Sequence, residues 1–413
     1  MASGHEQHND ATHGRCRYSF NPYHQRDPRW DNETSAAFER DDIAAVHQSI
    51  PGYRLTPLHS LPSLARKLGV GRILVKDESH RLGLKAFKVL GSSYAIYRFI
   101  ERHIGEHGAA VCEPEVFYRE GADLIEPGRF TFCTATDGNH GRGVAWTARR
   151  LGQKAAVFVP RDTVKARIEA IAAEGAGVTV VDGTYDDAVV AAARAAEKND
   201  WQVISDTSWP GYTEIPRWVM AGYLTLFREI DQADGLDRVD VVIVQGGVGA
   251  LAAAAGWYYR RERMRSDIRL VAVEPAESDC LLESVLSGGQ PTATRGDQQS
   301  IMAGLNCGQP SPVAWPLVRD SYDLFLTVND ESGVAAMRTY YHPDGSDPIV
   351  VSGESGAAGL AALLDICRDN SPAAVRERLD LSPESTVLLL NTEGDTDPVF
   401  FKKQVAGDVR GLF

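Results

Sequence analysis

Apolar residues in this chain fall into short runs, each closed by a glycine-rich or polar turn and followed by a stretch with helical spacing. Arg72-Ile-Leu-Val75 is rich in branched residues and reads as a buried strand. Leu90, Tyr94, Tyr97 and Ile104 recur at helical spacing, which predicts a helix from near Leu90. Strands are then expected at Phe130 to Cys133, Ala155 to Val159, Val178 to Val181 and Trp201 to Ser205. Helices are expected between them at Gly143 to Leu151, Val164 to Glu174 and Asp187 to Lys198. The second half continues with a helix from Pro216 to Glu229, proline in its first turn, and a strand from Asp240 to Val244. A helix from Ala250 to Arg261 and a strand from Ile268 to Val273 follow, with later strands at Val350-Val351 and Thr386 to Leu390. Such alternation implies right-handed crossovers and parallel sheets. The expected class is α/β, with two open, mostly parallel sheets flanked by helices. A ligand would sit in the cleft between them, beyond the carboxyl ends of the strands. A strand or loop at Tyr53 to Leu61 and a short helix from Pro62 precede this region. Residues 1–40 read as an irregular polar arm, and Glu113 to Gly128 as a surface loop with a helical turn.

The 413 residues suffice for two or three domains, and 43% hydrophobic content permits a large core. A net charge of -13 argues against nucleic acid or an anionic membrane as partner, though not against a small anion at a local positive site. The six cysteines form no Cys-x-x-Cys pair and no cysteine–histidine cluster with zinc spacing, so no metal is expected. Their usage fits reduced thiols in a cytoplasmic protein. Cys280 and Cys307 flank glycine-containing loops and are the pair that could meet. Met1 to Asp10 has no apolar core and is not a secretory signal. Glycines break Val241 to Ala255, the run nearest in length to a membrane span.

Two stretches suggest chemistry from their residues. Lys88 lies between a strand end and a helix start, among Phe87, Val89 and Leu90. Lost water and the positive helix end both favour its neutral amine, the form that attacks a carbonyl carbon. The alternative is a surface lysine whose stem lies along apolar neighbours. Gln245-Gly-Gly-Val-Gly-Ala250 follows a strand and opens a helix, so its backbone N–H groups can cradle a phosphate. It lacks the third glycine and the acidic residue of a dinucleotide fingerprint. Tight helix–sheet packing is the alternative there.

Lys76-Asp-Glu-Ser-His-Arg-Leu-Gly-Leu-Lys-Ala-Phe-Lys88 resembles the lysine segment of the fold type II pyridoxal-phosphate enzymes, the group of the tryptophan synthase β subunit, threonine and serine dehydratases and cysteine synthase. Within that group it is most similar to the diaminopropionate ammonia-lyases, and the matches run from about Thr56 to Pro398. The resemblance implies that Lys88 carries pyridoxal 5′-phosphate as a Schiff base. By the same likeness, Gly246, Gly247, Val248, Gly249 and Ala250 hold its phosphate. Asn139 meets the ring's 3′-oxygen, and the backbone of Thr136, Asp137, Gly138 and His140 receives the substrate carboxylate. Thr392 matches the hydroxyl residue at the pyridine nitrogen. A neutral hydroxyl leaves the ring a weaker electron sink, which suits β-elimination better than transamination.

Asp137 stands where the dehydratases carry a small hydroxyl residue, and a carboxylate there fits a substrate with a second amine. Capping the next helix is its alternative role. Asp206 resembles the second acidic residue of the diaminopropionate enzymes, with an Asx turn as its alternative. The two are expected to take the Cα proton of the D- and L-isomers respectively, Lys88 being the rival base on one face. Gly353 to Gly359 and Ser300 to Leu305 are read as packing beside the site.

The implied activity is elimination of ammonia from 2,3-diaminopropionate to give pyruvate. The alternatives are serine or threonine dehydration, another β-elimination or replacement, or a non-catalytic binder, against which Lys88, Asn139 and the glycine loop speak. A large domain of residues 1–89 and 204–413, a small domain of residues 90–203 and a homodimer are also expected. The partner is a small amino-acid substrate, with no nucleic acid and no membrane.

Overall fold

The computed structural model describes residues 17–106, 113–120, 123, 125–136, 138–233, 238–368 and 373–406. Among them lie β1 (Tyr18–Phe20), β2 (Leu58–Ser60), β3 (Arg72–Asp77), β4 (Thr131–Ala135), β5 (Lys154–Pro160) and β6 (Gly177–Val181). β7 (Gln202–Val203), β8 (Val241–Gln245), β9 (Arg269–Pro275), β10 (Leu324–Val328) and β11 (Thr386–Asn391) follow. They build two sheets, ordered β1-β10-β9-β8-β11-β3-β2 and β6-β5-β4-β7. The larger is parallel except for its edge strands β1 and β2; the smaller is parallel throughout. Val387, Leu388, Leu389 and Leu390 are all fully buried, as are Val241 to Val244, because helices cover both faces of the large sheet. The class is the expected one.

The helices around the cleft include α1 (Lys88–Glu106), α2 (Asn139–Arg150), α3 (Tyr185–Asn199) and α5 (Ala250–Trp257), with α4 (Glu214–Gly222) packed against α1. α1 is gripped by α2 and α4 through glycines. A Cβ on Gly91 would lie 2.6 Å from Tyr223 Cε1, one on Gly222 2.5 Å from the Leu90 carbonyl, and one on Gly143 3.1 Å from Val89 Cα. Those close approaches fix the first turn of α1, and Lys88 with it. His47, fully buried, adds a bond of 2.9 Å from Nε2 to the Leu90 carbonyl and one of 2.7 Å between Nδ1 and the Thr225 hydroxyl. Burial lowers its pKa to about 4, which keeps it neutral.

Several expectations change. α1 starts at Lys88 rather than Leu90, and a 3-10 segment, Glu78–Gly83, separates it from β3. The helix expected from Pro216 to Glu229 is two helices, α4 and Leu224–Ile230, bent at Tyr223. Val350 and Val351 form no strand. Val350 is buried by side-chain packing and donates to the Tyr340 carbonyl at 3.0 Å. The arm is not wholly irregular: Tyr18–Phe20 pairs with β10, and helices follow at Asn32–Phe38 and Asp42–Gln48. In the Glu113 to Gly128 excursion, Phe117 and Tyr118 are buried and pin it to the core.

Candidate active site

Lys88 leaves the first turn of α1 and points across the cleft, where its Nζ donates to Asp206 Oδ2 at 2.5 Å. Asp206 follows β7 and is buried. Its backbone is fixed from below by Tyr212, whose hydroxyl accepts from Ser205 N (3.0 Å) and donates to the Val203 carbonyl (2.9 Å). Burial alone would raise the Asp206 carboxyl, but the charge and hydrogen bond of Lys88 and the neighbouring His140 bring it down to about 2. The lysine expected from the sequence thus meets a buried carboxylate. Asp206 makes an ion pair, not the turn that was its alternative reading.

His140 in α2 is buried, with Nε2 2.9 Å from the Ile204 carbonyl. A carbonyl only accepts, so Nε2 carries the proton. Nδ1 then presents a lone pair 4.0 Å from Asp206 Oδ2 with no hydrogen-bond partner of its own. Burial lowers the His140 pKa, against the pull of Asp206. The Thr136 hydroxyl accepts from Gly138 N (2.9 Å) and Gly141 N (3.1 Å), shaping the turn into α2. Asp137 lies outside the described residues.

Opposite this group is Gly246-Gly-Val-Gly249, between β8 and α5. A Cβ on Gly246 would lie 2.7 Å from Glu274 Cγ, so packing alone demands glycine there. Gly247 and Gly249 have φ of +61° and +94°, a region glycine enters without strain. Among the described residues no protein acceptor is bonded to the N–H groups of Gly247, Val248 or Ala250. Three free donors at a helix start form an anion cradle. A Cβ on Gly247 would come no nearer than 3.6 Å to a protein atom, Cys307 Sγ. Cys280 and Cys307 are both thiols rather than a disulfide.

One cavity joins these parts. Lys88, Asp206, Thr136, Asn139, His140, Gly246, Gly247, Val248, Ala250 and Thr392 all line it. Gly138 and Gly249 shape the loops without lining it. Thr392 is buried, and among the described residues its hydroxyl has no protein partner. The three N–H donors, the lysine and the hydroxyl fit a planar phosphorylated pyridine.

Sequence reasoning missed several residues of this cavity, Glu393 and Tyr185 among them. Glu393 is buried and accepts from Asn139 Nδ2 (2.5 Å) and Ser355 N (3.0 Å), so Asn139 here faces a carboxylate. It directly follows Thr392 beyond the end of β11, and that position was its signal. Tyr185 opens α3 behind a capping box formed by Thr184 and Asp187 at the carboxyl end of β6, also a readable signal. Gly304 and Leu305 line the cavity too, and Gln245 Nε2 binds the carbonyls of Leu390 (2.8 Å) and Gly356 (3.1 Å), so both segments read as packing do border it.

The family model described as pyridoxal-phosphate dependent enzyme matches residues 50–393. The diaminopropionate ammonia-lyase of Salmonella typhimurium (strain LT2) is 39% identical over 371 residues, 87% of this chain and 90% of that protein. The crystal structure of holo diaminopropionate ammonia lyase from Escherichia coli superposes with a TM-score of 0.86 at 36% identity, covering 95% of this chain and 96% of that one. The same enzyme in complex with an aminoacrylate-PLP azomethine reaction intermediate gives a TM-score of 0.83 at 35% identity, covering 97% and 99%. No helix among the described residues is long and apolar enough to cross a membrane. A family match over most of the chain meets a cleft that holds a lysine, a carboxylate and a phosphate cradle, and the chain belongs to the pyridoxal-phosphate dependent enzymes.

Proposed function

We propose that this protein uses pyridoxal 5′-phosphate to eliminate ammonia from 2,3-diaminopropionate, giving pyruvate and a second ammonia after hydrolysis. The observation that carries the reading is the Lys88–Asp206 pair set in one cavity with the Gly246–Ala250 cradle. The relatives named for this reaction support it. Lys88 would hold the cofactor's aldehyde carbon, Gly246 to Ala250 its phosphate, Thr392 its ring nitrogen and Asn139 its 3′-oxygen. Once bound, the cofactor supplies an electron sink for the carbanion left when Cα loses its proton. The chain's own residues do the rest. The Thr136 to His140 turn receives the substrate carboxylate. Asp206, ionised and buried, accepts the Cα proton of the L-isomer, and Asp137 that of the D-isomer.

We assign residues 90–203 to a small domain that faces a large domain of residues 1–89 and 204–413 across the cleft, in a cytoplasmic homodimer. Pyruvate release from D- and L-diaminopropionate, serine and threonine tests the reading: the diaminopropionates should turn over fastest, and faster serine or threonine turnover would overturn it. Loss of a general base costs on the order of 10²–10⁴ in rate. Asp206→Asn should lower L-turnover by that factor and Asp137→Asn should lower D-turnover; equal losses on both enantiomers would overturn the two-base assignment. Borohydride reduction of the holoenzyme and peptide mapping should find the cofactor on Lys88. The rivals are otherwise engaged, Lys76 with Glu229 at 2.6 Å and Lys85 with Asp395 at 2.6 Å. A label on either would overturn the assignment.

A further inference from the structure

On the far edge of the large sheet, β2, β3 and the turn after β3 bring two imidazoles to one carboxylate oxygen. His59 Nε2 lies 3.2 Å and His80 Nε2 3.5 Å from Asp77 Oδ2, and all three atoms lie within 4.8 Å of one another. We propose that His59, Asp77 and His80 form a binding site for a first-row divalent cation of the zinc type, separate from the cofactor cleft.

Three features support it. Zinc takes nitrogen and carboxylate ligands at 2.0–2.2 Å, so two ligands of one tetrahedral ion stand about 3.3–3.5 Å apart. The separations of 3.2 and 3.5 Å to the carboxylate oxygen lie close to that spacing. Two histidines and one carboxylate are also a ligand set such ions select, and they leave a fourth position for water. Finally, the carboxylate is held in place from behind. Asp77 Oδ1 accepts from Asn391 Nδ2 (2.7 Å) and Ser79 N (3.1 Å), which turns Oδ2 toward the imidazoles. Such supporting bonds orient metal ligands. Asp77 is buried while the His80 side chain is 60% exposed, so the site has a fixed floor and an open entry. An ion there would tie β2 and β3 to the Glu78–Gly83 segment, which runs on toward Lys88. The cysteine–histidine spacing sought in the sequence could not reveal it, since the ligands come from separate elements and include no thiol.

The test is equilibrium dialysis of chelator-treated holoenzyme against Zn²⁺, with a melting curve in parallel. His59→Ala and His80→Ala are compared with wild type, which controls for the histidines at positions 5, 8 and 13. Wild type should bind one more equivalent than either variant, and Zn²⁺ should raise its melting temperature but not theirs. Equal stoichiometry and affinity in all three proteins, or no Zn²⁺ bound by wild type, would overturn the proposal. His80 is exposed, so its variant keeps the fold and either result is readable.

Discussion

The Lys88–Asp206 contact is the residue-scale feature on which the site turns. Without cofactor it is a partly buried ion pair, and each member offsets the other's desolvation. In the cofactor-free protein Lys88→Met and Asp206→Asn should therefore be non-additive, with a coupling of roughly 1–3 kcal/mol in a urea double-mutant cycle. Additive effects would mean that the two groups do not share charge. The pH sign follows from the lowered Asp206 pKa. Its stabilisation is full above the ordinary value of 3.8 and is lost only as pH falls toward 2, so it contributes no slope near neutrality. Lys88 and Asp206 were both legible in the sequence as ends of elements that meet a cleft. Their pairing was not, because desolvation and helix dipole are local, whereas the two residues lie 118 positions apart. Glu393 had a positional signal directly after Thr392, but its bond to Asn139, at the start of α2, joins distant parts of the chain.

At the scale of elements, α1 carries two kinds of glycine. Gly91 is pressed against Tyr223, and a methyl group there overpacks the α1–α4 contact one turn from Lys88. Gly91→Ala should cost roughly 1–3 kcal/mol and weaken cofactor binding measured by dialysis. Gly105, in the last turn of α1, has no atom within 4 Å of an added Cβ. Gly105→Ala should gain up to about 1 kcal/mol through helix propensity, leaving cofactor affinity unchanged. If both variants shift stability alike, α1 is not clamped at its start. Alternation of strand and helix was readable because periodicities of two and 3.6 differ over even short windows. The bend at Tyr223 was not, since no proline or glycine pair marks it; Gly222 instead meets the Leu90 carbonyl in space. Val350-Val351 has strand composition but no neighbouring strand to pair with, and composition cannot report pairing.

At the scale of the whole molecule, the polar bridges between the two sheets include Lys88–Asp206, Asn139–Glu393 and Arg167–Glu354. The third joins the helix Lys165–Ala173 beside the small sheet to the loop before the helix Ala358–Cys367, with Arg167 Nη2 2.7 Å from Glu354 Oε1 and both side chains buried. Burial and the adjacent Glu393 push the Glu354 carboxyl up to about 7, against the pull of Arg167. A carboxyl raised in the folded state holds more protons than it does unfolded. Its contribution to stability is full below the ordinary value of 4.5 and is lost as pH rises through 7. The loss is on the order of 3 kcal/mol. Glu274, raised to about 8 chiefly by burial, adds a slope of the same sign over an overlapping range, so wild type alone cannot separate the two. The difference between wild type and Glu354→Gln can. Gln keeps the shape and an acceptor for Arg167 but has no proton to lose. In urea denaturation at pH 5 and pH 8 the wild type should lose more stability than Glu354→Gln, by about that amount. Equal losses would place the titration on Glu274 and leave the Arg167–Glu354 bridge without a role in the pH response of the cleft.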